Sequence, residues 1–129
     1  VGLEALSRGA DVTVFVESDK RAAAVLRRNV DLVGLPGGIV VCRTTESYLS
    51  AGVADDPFDL IFADPPYAVT TDAVNTLLTG LADERWLSSG GVVVLERPWR
   101  ESEPRWPSEI KALKQKRYGE GSLWYGRRA

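Results

Sequence analysis

Apolar positions along this chain recur in two rhythms that alternate from end to end. Val12-Thr13-Val14-Phe15-Val16-Glu17 is a β-branched and aromatic run, predicted to be a buried strand that ends in an acid. From Lys20 to Val33 the apolar residues Ala22, Val25, Leu26, Val30 and Val33 follow helical spacing, with Ser18 or Asp19 as the cap. Gly34 to Gly38, containing Pro36, predicts a loop, and Ile39-Val40-Val41-Cys42 a second strand. Thr45 to Leu49 predicts one or two helical turns, and Asp55-Asp56-Pro57 a turn. Phe58 to Ala63 predicts a third strand. Thr70 or Thr71 then caps a helix whose Ala73, Val74, Leu77, Leu78 and Leu81 form one stripe. Ser88-Ser89-Gly90-Gly91 leads into Val92-Val93-Val94-Leu95-Glu96, a continuous apolar fourth strand.

Strands alternating with helices imply an α/β domain whose sheet is mostly parallel, with strands buried on both faces. The tail breaks that rhythm. Residues 97–109 hold three prolines and read as a connection. Ile110 to Tyr118 and Ser122 to Arg128 flank Gly119-Glu120-Gly121, which predicts a terminal antiparallel hairpin. At the other end, Gly2 to Ala10 reads as the interior and end of a helix, with Leu3 and Leu6 on one face and Gly9 just past its end. Nothing before Gly2 would cap that helix, so the chain is expected to be the later part of a longer domain.

Composition removes several classes of chemistry. The 129 residues include one cysteine, Cys42, and no histidine. Imidazole bases, histidine metal sites, thiolate zinc clusters and Ser–His–Asp or Cys–His hydrolases are therefore excluded, and no metal is expected. A lone cysteine suits a reducing, cytoplasmic setting, and no apolar run reaches the length of a membrane-spanning helix. The length fits a single domain over residues 1–129. The net charge of −2 is unevenly spread: residues 1–96 sum to −7 and residues 97–129 to +5. A basic end on an acidic body suits a polyanionic partner or, equally, a solvated hairpin.

The sharpest chemical signal is Asp64-Pro65-Pro66-Tyr67, directly after the third strand. Ligands of open α/β sheets bind outside the carboxyl ends of the strands. Two prolines stiffen the loop and present carbonyls without N–H donors. Asp64 adds acceptor oxygens and Tyr67 a flat ring. The set suits an exocyclic amino group held by two acceptors while its base stacks on Tyr67. Glu17, also at a strand end, is placed to accept hydrogen bonds from ribose hydroxyls. Weaker candidates are Glu96 at the end of the fourth strand and the four tryptophans Trp86, Trp99, Trp106 and Trp124 as stacking residues. Cys42 reads as a buried strand residue, and Asp55-Asp56 as a solvated turn.

These residues resemble the class I S-adenosylmethionine-dependent methyltransferases. More narrowly they resemble the bacterial RsmD-like family, which methylates the N2 amine of a guanine in 16S ribosomal RNA. Gly2-Leu3-Glu4-Ala5-Leu6-Ser7-Arg8-Gly9-Ala10 is similar to the helix after that family's glycine-rich cofactor loop. Phe15-Val16-Glu17 resembles its ribose-binding strand end, Asp64-Pro65-Pro66-Tyr67 its catalytic motif, and Arg117-Tyr118-Gly119 its terminal hairpin. The resemblance implies a Rossmann-like sheet whose first strand lies before Val1. It implies S-adenosylmethionine as cofactor, contacted by Gly2, Glu17, Ser18, Thr44, Thr45 and Asp64. Asp64, Pro65, Pro66 and Tyr67 would be the catalytic group, and 16S rRNA or the small ribosomal subunit the partner. Near the adenine the family pattern of Asp or Asn followed by Ala is replaced by Thr44-Thr45, where Thr44 keeps one hydroxyl. With most of the glycine loop outside the chain, cofactor binding by these 129 residues alone is expected to be weak. A DNA or protein amino methyltransferase, and a non-catalytic nucleic-acid-binding fragment of the fold, stay open as alternatives.

Overall fold

The computed structural model describes residues 1–51 and 56–129, so Asp55 of the expected Asp55-Asp56 turn lies outside the described residues. The chain divides into two compact units, Val1–Gly52 and Val53–Ala129.

The N-terminal unit begins with helix α1 (Gly2–Ser7) and strand β1 (Thr13–Val16). Helix α2 (Lys20–Val33), strand β2 (Gly38–Val41) and helix α3 (Thr45–Ser50) follow. Both ends of α2 are set locally. The Asp19 carboxylate accepts from the N–H groups of Arg21 and Ala22, and Gly34 closes the helix at φ 71°. Strands β1 and β2 pair in parallel, Val16 opposite Val41, so both carboxyl ends emerge along one edge.

The loop into β2 depends on Gly37. Its φ is 93°, and a Cβ there would collide with the Asp11 carbonyl oxygen. Gly37→Ala should therefore cost roughly 2 kcal/mol or more, through backbone strain plus a clash that backbone must absorb. Gly34→Ala meets no atom and carries only the conformational term, about 1 kcal/mol. Chemical denaturation of the two variants side by side checks the ranking; equal midpoints would refute it.

The C-terminal unit contains β3 (Phe58–Ala63), α4 (Thr71–Leu81), β4 (Leu87–Pro98), β5 (Ile110–Tyr118) and β6 (Gly121–Arg128). Its sheet runs β3-β4-β6-β5. The β3–β4 pair is parallel, whereas β6 runs antiparallel to both β4 and β5. The Thr70 hydroxyl caps α4 by accepting from the Ala73 N–H. Val74 and Leu78 of α4 pack on Leu87, Val93, Leu95, Ile110 and Trp124, which makes one face of this sheet the core. Burying each such side chain contributes about 1.5–3 kcal/mol.

Two sequence expectations need correction. The first three strands are not buried on both faces: β1 is half-buried throughout, and Leu60 of β3 is 52% exposed. Among the described residues β1 and β3 each pair on one side only, so their apolar residues lack half of a sheet environment. The fourth strand also starts earlier than Val92. Ser88 to Gly91 form an irregularity within it, where pairing shifts from Phe58–Leu87 to Leu60–Val92. The Ser88 hydroxyl donates to the Asp59 carboxylate at 2.9 Å, so residues that read as the approach to the strand are held within it by the neighbouring strand.

Candidate active site

Parallel pairing brings the carboxyl ends of β3 and β4 together. Ala63 lies opposite Leu95, so Asp64 leaves the sheet beside Glu96. Alternation then sorts the neighbours onto faces. Val93, Leu95 and Arg97 point to the side packed by α4, with Trp124 and Ser122 opposite the latter two on β6. Glu96 points to the other side, opposite Leu123. Tyr67 reaches that side too: its hydroxyl lies 3.4 Å from where a Cβ on Gly121 would stand, and the Glu96 Cγ lies 4.0 Å from the same point. Asp64 and Tyr67 are exposed, Tyr67 at 51%.

Beneath the loop lies Arg97, only 2% exposed. Its Nη1 donates to the carbonyls of Pro66 at 3.2 Å and Pro65 at 3.4 Å, and its Nη2 to that of Val69 at 2.9 Å. Glu101 receives Nε at 2.8 Å and Nη2 at 2.7 Å. The Val69 N–H also donates to the Pro66 carbonyl at 2.9 Å. The Pro-Pro segment is therefore stiff in its own φ angles and tied down by a buried cation. A carbonyl has two lone pairs, so the Pro65 oxygen keeps one for a ligand amine.

Glu96 titrates abnormally. Burial raises its pKa first. The Asp64 carboxylate adds to this by repulsion and by accepting a hydrogen bond from the protonated form. A carboxyl whose folded pKa is raised favours folding below its unfolded pKa and loses that contribution as pH rises through the folded value. Glu96→Gln should therefore raise the melting temperature more at pH 7.5 than at pH 4, because a raised pKa makes ionising the wild-type carboxyl unfavourable to the fold. A gain that is the same at both values would contradict the pairing.

The remaining sequence candidates fall in the N-terminal unit. Glu17 and Ser18 follow β1, while Thr44 and Thr45 follow β2 at the same edge of the two-stranded sheet. The Glu17 N–H donates to the Val41 carbonyl at 3.0 Å, which fixes the turn out of β1. Thr44 is the α3 cap, its oxygen accepting from the Ser47 N–H at 3.0 Å. Gly2 opens α1, where a Cβ would collide with the Phe15 ring, so its small size serves helix–strand packing. Asp64, Pro65, Pro66 and Tyr67 belong to the C-terminal unit.

Cys42 is corrected: it lies just past β2, half-buried, with its thiol 3.8 Å from the Ser18 carbonyl. Asp56 is exposed. Trp86 and Trp124 are buried, and Trp106 packs against the core, which removes three of four tryptophans as stacking surfaces. Trp99, at 40%, is exposed. Sequence reasoning missed Arg97 altogether. The available signal was an arginine two residues past a buried apolar run with an acid four residues later.

The family pattern described as "Conserved hypothetical protein 95" matches residues 1–127. The ribosomal RNA small subunit methyltransferase D of Buchnera aphidicola is 24% identical over 102 residues, which are 79% of this chain and 52% of that protein. The chain thus spans about half the length of that relative. A conserved hypothetical protein of Streptococcus pyogenes superposes with a TM-score of 0.86 at 26% identity, covering 98% of this chain and 78% of that one. The N-methyltransferase NodS of Bradyrhizobium japonicum, solved with S-adenosyl-L-homocysteine, has a TM-score of 0.68 at 14% identity, over 97% of this chain and 70% of that one. A match over nearly the whole chain, on an α/β fold shared with these methyltransferases, makes this protein a member of the Conserved hypothetical protein 95 family, the RsmD-like family.

Proposed function

We propose that residues 1–129 belong to one S-adenosylmethionine-dependent methyltransferase domain that acts on the exocyclic N2 amine of a guanine in 16S ribosomal RNA. The observation that carries this reading is the Asp64–Tyr67 loop: a carboxylate and two proline carbonyls at a strand end, anchored by Arg97, beside an exposed tyrosine ring.

The N-terminal unit suits the cofactor. Among the described residues Glu17 has no ion-pair or side-chain hydrogen-bond partner, so its carboxylate is free to accept from ribose hydroxyls. The Thr44 oxygen is occupied by Ser47, which leaves its hydroxyl proton to donate to an adenine nitrogen. The bound cofactor supplies a methyl group already activated by its sulfonium.

The chain's own residues supply position and charge. The N2 lone pair of guanine is delocalised into the ring. Asp64 and the Pro65 carbonyl accept the two N2 hydrogens, which favours a pyramidal, nucleophilic nitrogen and stabilises the positive charge that grows on it. Tyr67 receives the base, which must leave its stack to reach the loop. Glu96 stands beside Asp64 at the carboxyl ends of β4 and β3, and after methyl transfer the N2 proton passes to Asp64 or to water.

Incubating the full-length enzyme with labelled S-adenosylmethionine and undermodified small ribosomal subunits, then digesting the RNA to nucleosides, tests the reading. Label in N2-methylguanosine is expected. Label only in DNA or protein would move the activity to another amine, and no transfer to any acceptor would leave the non-catalytic alternative.

A further inference from the structure

The hairpin carries a second surface that the methyl-transfer chemistry does not use. On the face turned away from α4, the register pairs Lys111 with Arg127, Lys114 with Tyr125, Lys116 with Leu123, and Tyr118 with Gly121. That face therefore shows four cations, two tyrosines and a leucine, and no acid. The opposite face holds Gln115, Ser122 and Trp124, with Gln115 donating to the Ser122 hydroxyl at 2.6 Å, and carries Arg117 and Arg128 at its two ends, Arg128 donating to the Ala82 carbonyl at 3.1 Å. Alternation of the strands thus places all three lysines and Arg127, four of the hairpin's six cations, on the outer face.

The cations sit on the aromatic rings. The Lys114 ammonium lies 4.7 Å from the Tyr125 ring centroid, and that of Lys116 5.3 Å from the Tyr118 centroid. Tyr118 is 57% exposed, and the four cations are exposed. The hairpin tip is held firmly. Arg117 stacks on Trp99 at 3.7 Å and donates to the Gly119 carbonyl at 3.0 Å, while the Trp99 N–H donates to Glu120 at 2.9 Å. Such a surface is ordered before any partner arrives.

The surface runs into the candidate active site. Lys116 pairs with Leu123, and Leu123 with Glu96, on one face. Lys116 is thus two strands, roughly 10 Å, from Glu96, and Asp64 lies just beyond. Gly121 leaves the floor between Tyr118 and Tyr67 open, because no side chain stands there. A row of exposed cations and rings beside a base-receiving loop complements a chain of phosphates carrying stackable bases.

We infer that this outer hairpin face, Lys111, Lys114, Lys116, Tyr118, Tyr125 and Arg127, is the docking surface for the RNA strand that flanks the target nucleotide. The lysines and Arg127 neutralise phosphates, and Tyr118 stacks the base next to the one held at Tyr67. The inference rests on the RNA-modifying function proposed above but is tested apart from it.

The test is equilibrium binding of a fluorescent, unstructured RNA oligonucleotide to the full chain across a salt series, with no methyl donor. Lys114→Ala/Lys116→Ala should weaken binding and lower the salt slope by about 1.4, the value for two phosphate contacts on a single strand. Tyr118→Ala should weaken binding about tenfold with an unchanged slope, because stacking releases no counterions. Arg85→Ala, a cation away from the hairpin, should match wild type. Unchanged affinity in both hairpin variants would overturn the inference, as would Arg85→Ala weakening binding as much as they do. Tighter binding of a base-free polyanion than of RNA, with no effect of Tyr118→Ala, would also overturn it. RNA binding that depends on the hairpin in a protein that methylates no RNA would sink the proposed reaction and leave the docking surface standing.

Discussion

Asp64→Ala is expected to lower methyl transfer about 10²–10³-fold, the loss seen when one group aimed at developing charge is removed. The effect should fall on turnover far more than on cofactor affinity, because the role assigned to Asp64 is towards the acceptor amine. Asp64 is exposed and Glu96 beside it is only half-buried, so the fold should survive its removal. The adjacent carboxyl sharpens the test. In wild type Glu96 resists ionisation, first because it is buried and then because Asp64 repels a second charge. With alanine at 64 the repulsion and the shared hydrogen bond vanish, and Glu96 should titrate closer to an ordinary glutamate. Tyr67→Phe should be mild, since the ring stacks and the hydroxyl faces Gly121, whereas Tyr67→Ala should impair turnover. Single-turnover transfer to undermodified subunits, paired with calorimetric titration of the cofactor, separates the effects. Near-normal turnover in Asp64→Ala would refute its assignment.

The parts legible in the sequence are those whose cause is local. Helix α2 was readable to its ends because Asp19 and Gly34 act on backbone groups within four residues of themselves. The hairpin was readable because Gly119, at φ 55°, and Gly121 bracket a turn between two strand-length segments, even though only β6 alternates in burial and β5 is exposed after Ile110. The Asp64–Tyr67 loop was visible because motif and strand end are contiguous. What was not legible depends on partners distant in sequence. Ser88 to Gly91 read only as the lead-in to the fourth strand, yet they lie within β4, where Asp59, 29 residues earlier, holds Ser88. Apolar content alone could not reveal that, among the described residues, β3 pairs on one side only. The sorting of lysines onto one hairpin face needed the register across β6, including the irregularity between Ala112 and Lys114 that reverses the parity of the strand. Arg97 is the clearest case, since arginine is almost never fully buried unless paired. Its partners lie 28 to 32 residues earlier and four residues later.

Arg97→Met should be the most damaging single change to the C-terminal unit. A guanidinium has five N–H donors, and the Arg97 contacts account for all of them: one Nε bond, two from Nη1 and two from Nη2. Methionine fills much of the volume and donates nothing. Glu101, whose side chain is 30% exposed, can turn to water, which limits that part of the loss. The Val69 and Pro65 carbonyls sit over the site the guanidinium occupied and lose a donor, while Pro66 keeps its bond from Val69. Removing one partner of a buried, hydrogen-bonded pair costs about 3 kcal/mol, which for a unit of this size lowers the melting temperature by roughly 12–24 °C. Lysine would be a poor rescue, because its point charge cannot serve carbonyls and a carboxylate in a planar fork. The functional consequence follows from the same bonds. Released from Arg97, the loop keeps its proline-fixed φ angles but loses its anchor to β4, so the acceptors for the amine are no longer held at one distance from Tyr67. Urea denaturation and turnover measured on Arg97→Met and Arg97→Lys decide between two roles. A stability loss with turnover unchanged in the folded fraction would make the strap purely structural. Loss of turnover beyond the unfolded fraction would make Arg97 the residue that positions the Asp64–Tyr67 loop.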